Sequence, residues 1–258
     1  MTTPIVTDRA TEQVAEWLAS TRCSVAFTGA GISIESGIPD FRSPGGIWSK
    51  SQPVYFDEFL RSAAARQEYW RQKVISHRDF ADAKPNVGHT TLARREAAER
   101  IRGVITQNID GLHQIAGNRR VLELHGTARE VACLGCNWRA DADPLVSQFL
   151  ATERVPDCPV CGGLLKHATI AFGKNLPAAV LDHASSWAVE CDLFLAIGSS
   201  LVVHPAAGLP ALAKESGARR VILNRDETPL DGIADAVIRG SIGETLRQVD
   251  EVIAIRSN

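Results

Sequence analysis

Residues 24–42, SVAFTGAGISIESGIPDFR, constrain the chain more than any other stretch. A short apolar run, Val25-Ala26-Phe27, ends in Thr28-Gly29-Ala30-Gly31, the way a buried parallel strand delivers its backbone into a glycine turn. Glycines there remove Cβ atoms, so free N–H groups and a following helix N-terminus can approach a pyrophosphate. A turn that merely packs uses the same residues. A full dinucleotide fingerprint needs a third glycine, and Ile34 stands in its place. Gly37-Ile38-Pro39-Asp40-Phe41-Arg42 then places a carboxylate, an aromatic ring and a guanidinium in an irregular loop where a dehydrogenase would already be running a helix.

Other strand ends carry polar groups too. Apolar strands are expected over 102–106, 121–124, 192–197, 220–223 and 236–238. They lead into Gln107-Asn108-Ile109-Asp110-Gly111, His125-Gly126, Gly198-Ser199-Ser200, Asn224 and Gly240-Ser241, and a final amphipathic helix covers 242–253. The β/α alternation predicts a parallel sheet, whose ligands bind beyond the carboxyl ends of the strands. From the residues alone, Asn108 and Asp110 either make a turn or touch a ligand. His125 is either structural or a group that titrates near neutrality and serves as a general base. His89 is read as a cap or core residue and His113 as packing behind the loop. A helix with Ala10, Val14, Trp17 and Leu18 on one face covers 7–21, and another begins at His89. Residues 44–84 read as a helical module over the nucleotide loop, packed through Phe56, Phe59, Leu60, Tyr69 and Trp70, and residues 169–173 read as a further strand.

Of six cysteines, four form the pairs Cys133-x-x-Cys136 and Cys158-x-x-Cys161, separated by 21 residues, while Cys23 and Cys191 adjoin apolar strands. Two such knuckles complete a tetrahedral thiolate site, so one structural Zn²⁺ is expected, with no open coordination position for water. The ion would hold together a module too small to bury a core of its own. The same spacing favours a reducing compartment over a secreted disulfide framework. With 258 residues the chain has room for one large α/β domain carrying a small insertion, and its net charge of −2 provides no field for nucleic acid. No run approaches the roughly 18 apolar residues of a membrane span. A soluble cytoplasmic protein with neither membrane nor nucleic-acid partner is expected.

Taken together, GAGISIESGIPDFRS, TQNIDGLH, the LHG at His125 and the Phe172-Gly173 segment, with the cysteine pairs between, resemble the sirtuins, the NAD-dependent protein-lysine deacylases, over roughly residues 29–224. The resemblance implies a Rossmann-like NAD-binding domain, 1–43, 85–127 and 168–258, with a small domain made of the helical module 44–84 and a zinc ribbon 128–167. It implies that Ser33, Asn108 and Asp110 hold the nicotinamide end of NAD, and that Gly29, Ala30, Gly31, Gln107, Ile109, Gly198, Ser199, Ser200, Asn224 and Ile242 complete the cofactor site, with Ile38, Pro39, Asp40, Phe41 and Arg42 covering the ribose. His125 becomes the catalytic base, and Ile170, Phe172 and Gly173 line the tunnel for an acyl-lysine held by strand addition. The expected substrates are acyl-lysine proteins or peptides, the expected state a monomer.

The sequence departs from the family at Lys166-His167-Ala168, commonly Arg-Pro-Asp, and at Lys174, commonly acidic, which bears on peptide preference. Tyr55 and Tyr69 are followed three positions on by Glu58 and Gln72, so the Tyr-x-x-Arg pair of succinyl-selective relatives is absent and uncharged acyl groups, acetyl first, are favoured. The alternatives are mono-ADP-ribosyl transfer at the same NAD site, a nicotinamide oxidoreductase, which would want an acidic residue about 20 residues on, and a non-enzymatic zinc-ribbon protein.

Overall fold

Strands buried on both faces are continuously apolar, and the sheet here is built from such runs. The computed structural model describes residues 9–40 and 52–256. In chain order these form α1 (Arg9–Ser20), β1 (Ser24–Thr28), α2 (Phe56–Arg61), α3 (Ala63–Ala81), α4 (Val87–Ala97), β2 (Val104–Thr106), α5 (Leu112–Ala116), β3 (Val121–Glu123), β4 (Gly126–Cys133), β5 (Arg139–Asp141), α6 (Ala142–Thr152), β6 (Leu165–Thr169), α7 (Ala178–Glu190), β7 (Leu193–Ile197), α8 (Leu209–Glu215), β8 (Arg219–Leu223), β9 (Ala236–Ile238) and α9 (Ile242–Arg256).

Six strands make one parallel sheet in the order β3-β2-β1-β7-β8-β9. Alternation along each strand divides its side chains between two cores. Ala26, Leu195, Ile197 and Val221 pack with Val14, Leu18, Leu92, Leu246 and Val249 of α1, α4 and α9. Val25, Phe27, Phe194 and Ile222 pack with Trp187, Ala188 and Leu209 of α7 and α8. From β1 the chain builds outward to β2 and β3 on one side, and β7 returns to the other. The C-terminal ends of β1 and β7 therefore face the crevice where connections diverge, the ligand site of such sheets.

A second, antiparallel sheet has the order β5-β4-β6. Trp70 of α3, wholly buried, stacks on Phe149 of α6 at 5.8 Å and donates its indole N–H to the Leu165 carbonyl at 3.3 Å. Phe59, Tyr69, Val131, Val146 and Leu165 complete this core. The helical module packs on the cysteine-bearing sheet, because neither unit alone has enough apolar surface to bury, and its end also reaches the nucleotide loop, where Ala83 packs on Ile38. Phe59, Tyr69 and Trp70 are core residues as expected, but Phe56 is half-buried and Leu60 is exposed.

Residues 169–173 are not a strand. Only Thr169 belongs to one, as the last residue of β6, whose extent is set by pairing with β4, a distant partner that a local apolar window does not reveal. Phe172 and Gly173 lie in a turn, with Gly173 at φ +84°. A 3₁₀ turn, Ala206–Gly208, precedes α8, and α9 runs on beyond the expected 253 to Arg256. Among the described residues no helix is long and apolar enough to cross a membrane.

Gly126 joins the two sheets at φ +69°, and a Cβ there would lie 2.1 Å from the Ala168 carbonyl oxygen. Replacing it by Ala is expected to cost about 2–4 kcal/mol through strain and backbone displacement, roughly 4–16 °C in melting midpoint. Calorimetry showing an unchanged midpoint would refute the close approach.

Candidate active site

The glycine turn after β1 lies against the turn after β7. Gly29 N–H donates to the Ile197 carbonyl at 3.0 Å and Gly31 N–H to the Gly198 carbonyl at 2.8 Å, while Ile32 N–H bonds back to Gly29 at 3.2 Å. A Cβ on Gly31 would meet Gly198 Cα at 2.7 Å, and one on Gly198, itself at φ +63°, would meet Ile32 N at 2.5 Å. These glycines therefore let two loops touch, and three N–H groups expected to be free for phosphate are already used. The segment that follows is a 3₁₀ turn, Ala30–Ser36, closed by left-handed Gly37, and not an α-helix.

That turn carries Ser33 into a buried polar knot with Asn108 and Asp110 from the loop after β2. The Ser33 hydroxyl donates to Asp110 Oδ2 at 2.7 Å and accepts from Asn108 Nδ2 at 3.1 Å; the same amide also reaches the Gly29 carbonyl at 3.1 Å. Asp110 Oδ1 accepts the Leu112 N–H at 2.9 Å, starting α5. All three side chains are at least nine-tenths buried. Both Asn108 amide hydrogens are spent within the knot, so what it offers a ligand is acceptors, the Asn108 amide oxygen and the Asp110 carboxylate, which suit the N–H₂ side of a carboxamide.

His89, given no site role by the sequence reading, sits beside this knot. Its Nδ1 accepts the Asn86 N–H at 3.4 Å within a helix-capping box, so the proton lies on Nε2, which faces Ser33 Oγ at 3.5 Å. The hydroxyl is then fully used, with two donors into it and its own proton on Asp110. Burial pushes His89 down to about 4, with the charges of Asp110 and Glu35 opposing. His113, 4.9 Å away ring to ring, bonds Thr28 Oγ1 at 2.9 Å behind the turn, and burial pushes it down to about 3. The Asn86-x-x-His89 spacing at a helix start was the signal for His89's place, but it pointed only to a cap.

His125 stands at the end of the β3 segment. Its Nδ1 lies 2.8 Å from the Gln107 carbonyl, which can only accept, so Nδ1 carries the proton and Nε2 keeps a free lone pair when the ring is neutral. Burial holds the ring below the usual imidazole range, only partly offset by that carbonyl. Gln107 also donates from Nε2 to Ser199 Oγ at 2.7 Å, joining the ends of β2 and β7. The Ile170 N–H bonds the His125 carbonyl at 2.8 Å, so the segment leading to Phe172 starts beside His125. Phe172 is 44 % exposed beside Tyr55, ring centroids 6.0 Å apart.

Not every expected residue converges. Ser200 borders the β7 turn, half-buried. Asn224 turns its amide to the Asp226 carbonyl at 2.8 Å, and Ile242 packs in the core where a Gly198 Cβ would strike it. Ile38 is buried with Leu112 and Ala128, with Ile109 packed against them, while Pro39 and Asp40 are half-buried; Phe41 and Arg42 lie outside the described residues. Lys166 is buried, its ammonium capped by the His167 and Thr169 carbonyls at 2.8 and 2.5 Å, and burial with Lys73 nearby pushes it down to about 7. It does not face a peptide. Lys174 does lie at the surface, its ammonium 4.5 Å from the Phe56 ring centre.

The four thiols of Cys133, Cys136, Cys158 and Cys161 lie within 4.8 Å of one another. Separations of 3.5 Å for Cys133 and Cys161 and 3.7 Å for Cys136 and Cys158 exclude disulfides. They match the edges, about 3.8 Å, of a tetrahedron with Zn–S bonds of about 2.3 Å. The site fits one zinc ion.

The chain is similar to known proteins over most of its length. The Sir2 family model matches residues 29–205. A Rhodopseudomonas palustris NAD-dependent protein deacetylase is 50% identical over 237 residues, covering 91% of this chain and 94% of that protein. A Pyrobaculum aerophilum NAD-dependent protein deacylase 2 is 44% identical over 245 residues, covering 93% and 94%. Among solved structures, a Sir2 complex with a p53 peptide and NAD⁺ superposes with a TM-score of 0.86 at 38% identity, covering 94% of this chain and 98% of that one.

Elemental analysis is expected to find one zinc per chain. Stripping the metal with a strong chelator removes up to about 10 kcal/mol of folding free energy from the small module, so the melting midpoint should fall and zinc should restore it; metal-free protein melting like the purified form would rule out a structural ion.

Proposed function

The chain belongs to the Sir2 family, and from that premise we propose that it removes acyl groups, acetyl first, from protein lysine, with nicotinamide and O-acyl-ADP-ribose as the other products. It is an NAD-dependent protein deacylase. The observation that carries the detailed reading is His125, with Nδ1–H fixed on the Gln107 carbonyl and Nε2 free as a base at neutral pH.

NAD would supply the anomeric carbon that bonds the acyl oxygen as nicotinamide leaves and the ribose hydroxyl that finally carries the acyl group, with one water consumed in freeing the lysine amine. In our reading Asn108 and Asp110, backed by Ser33, orient the nicotinamide end by accepting from the N–H₂ of its carboxamide. Gly29, Ala30, Gly31, Gly198, Ser199, Ser200 and Asn224 line the phosphates and riboses, Ile242 supports them from the core, and residues 38–42 cover the ribose. Gln107 and Ile109 shape the wall between, with the Gln107 carbonyl holding His125, whose Nε2 takes the proton from a ribose hydroxyl. Ile170, Phe172 and Gly173 form the mouth through which an uncharged acyl-lysine enters; a charged ammonium would cost far more to desolvate. Residues 1–43, 85–127 and 168–258 would act as the NAD-binding domain and 44–84 with 128–167 as the small domain, in a cytoplasmic monomer with no nucleic-acid partner.

Mass spectrometry of an acetyl-lysine peptide with and without NAD is expected to show NAD-dependent loss of acetyl and formation of O-acetyl-ADP-ribose. His125→Ala should reduce turnover about 10²–10⁴-fold while NAD still binds. Retained deacetylation in that variant would sink the assignment, and label from adenine-labelled NAD on protein would redirect it to ADP-ribosyl transfer. Because burial lowers the His125 pKa, the acid limb of kcat/KM should have its midpoint below the ordinary imidazole value of about 6.5, rising with pH through that midpoint and flat to neutrality. A midpoint above 6.5 would contradict the buried neutral ring.

A further inference from the structure

Strand β4 begins beside His125 and ends at Cys133, and its first half is irregular. Gly126 pairs with Thr169 and Val131 with His167, so five steps along β4 face two along β6. Residues 127–130 are bulged out of that ladder, the device by which strands beside active sites re-aim side chains. The bulge turns towards the loop after β2. Ala128 N–H donates to the Ile109 carbonyl at 2.8 Å, and Arg129 Nε donates to the Asp110 carbonyl at 2.6 Å. Gly111 sits under the same arginine. It is left-handed at φ +71°, and a Cβ there would press on Arg129 Cγ at 3.0 Å. The loop that presents Asp110 is therefore fixed from two directions, by Ser33 and Leu112 on its carboxylate and by Arg129 on its backbone.

We propose that Arg129 is a positioning residue for the reaction: its Nε–H holds the Asp110 peptide so that the carboxylate meets the nicotinamide carboxamide, tying the zinc-bearing sheet to the leaving-group pocket. The inference rests on the reading of Asp110 given above. Its described side-chain hydrogen bond goes to the Asp110 backbone, so it acts through that loop. Small displacements of a group that orients a leaving group are costly, since a shift of about 1 Å can lose about 10²-fold in rate. The donor that matters is Nε, four bonds from Cα, and a glutamine amide nitrogen stands at that same position. Methionine matches the length and lacks the donor.

Arg129→Met and Arg129→Gln test this directly. In the Met variant KM for NAD is expected to rise about 10-fold, and inhibition by free nicotinamide to weaken by a similar factor, within the range set by such displacements. KM for the acyl peptide, zinc content and melting midpoint should stay at wild-type values, and the Gln variant should recover most of the loss. A Met variant with wild-type NAD and nicotinamide behaviour overturns the proposal, as does a Gln variant no better than Met. Loss of zinc or of melting temperature in step with activity would instead make Arg129 a structural residue. Failure of the wild-type protein to turn over NAD at all would reject the reading of the whole site, an outcome distinct from each of these.

Discussion

Two backbone turns touch where β1 and β7 end, and the site depends on that contact. Gly31 donates to Gly198 across it, and no side chain fits at either position. A parallel sheet leaves a crevice wherever its connections diverge; here the crevice floor is closed by main chain rather than filled by side chains. Ser33 enters the pocket because Gly29 and Gly31 pass so close to Gly198 that the next residues must coil into a 3₁₀ turn. The glycines thus act on the ligand site indirectly, by shaping the floor, while their own N–H groups are spent on protein carbonyls.

The polar knot above that floor is nearly self-sufficient. Buried hydroxyl, amide and carboxylate groups are costly unless paired, and Ser33, Asn108, Asp110 and His89 satisfy one another in a way that assigns every proton. Such a network is rigid before any ligand arrives, which is the condition for holding a leaving group without reorganisation. The two histidines behind it remain neutral because burial opposes their charging. A cation next to Asp110 would compete for its carboxylate, so their neutrality keeps that group an acceptor.

What the sequence made legible was whatever is local. β1, β7 and β8 are visible as apolar runs, the zinc site as two cysteine pairs, and His125 as a histidine freed by Gly126 at a strand end. What escaped was set by distant partners. β6 looked displaced by several residues because its limits come from β4; Leu60 looked apolar and proved exposed because the partner surface, α6 and the small sheet, was not in view. The α6 helix does carry a local signal in the spacing of Leu145, Val146 and Phe149, which face the small core. His89 carried two roles, a cap to its own helix and a donor towards Ser33, and only the first follows from spacing. Tertiary contacts between residues 33, 89 and 108 have no one-dimensional signature in a single chain.

The zinc module acquires a further meaning from its attachment. A small antiparallel sheet that merely recognised peptides could hang from the large domain by flexible connections. Instead β4 starts at the residue after His125, and its bulge bonds the loop after β2 at Ile109 and Asp110 before it reaches Cys133 of the four-thiol cluster. β6 returns beside it and hands the chain to Ile170, whose N–H bonds back to His125. His125, the loop carrying Asn108 and Asp110, and the segment running to Phe172 are therefore tied to one pair of strands, and that pair is held by four thiols whose geometry suits a single ion. A structural metal placed so close in bonding terms to these three groups fixes their spacing, which a core of this size could not do through apolar packing alone.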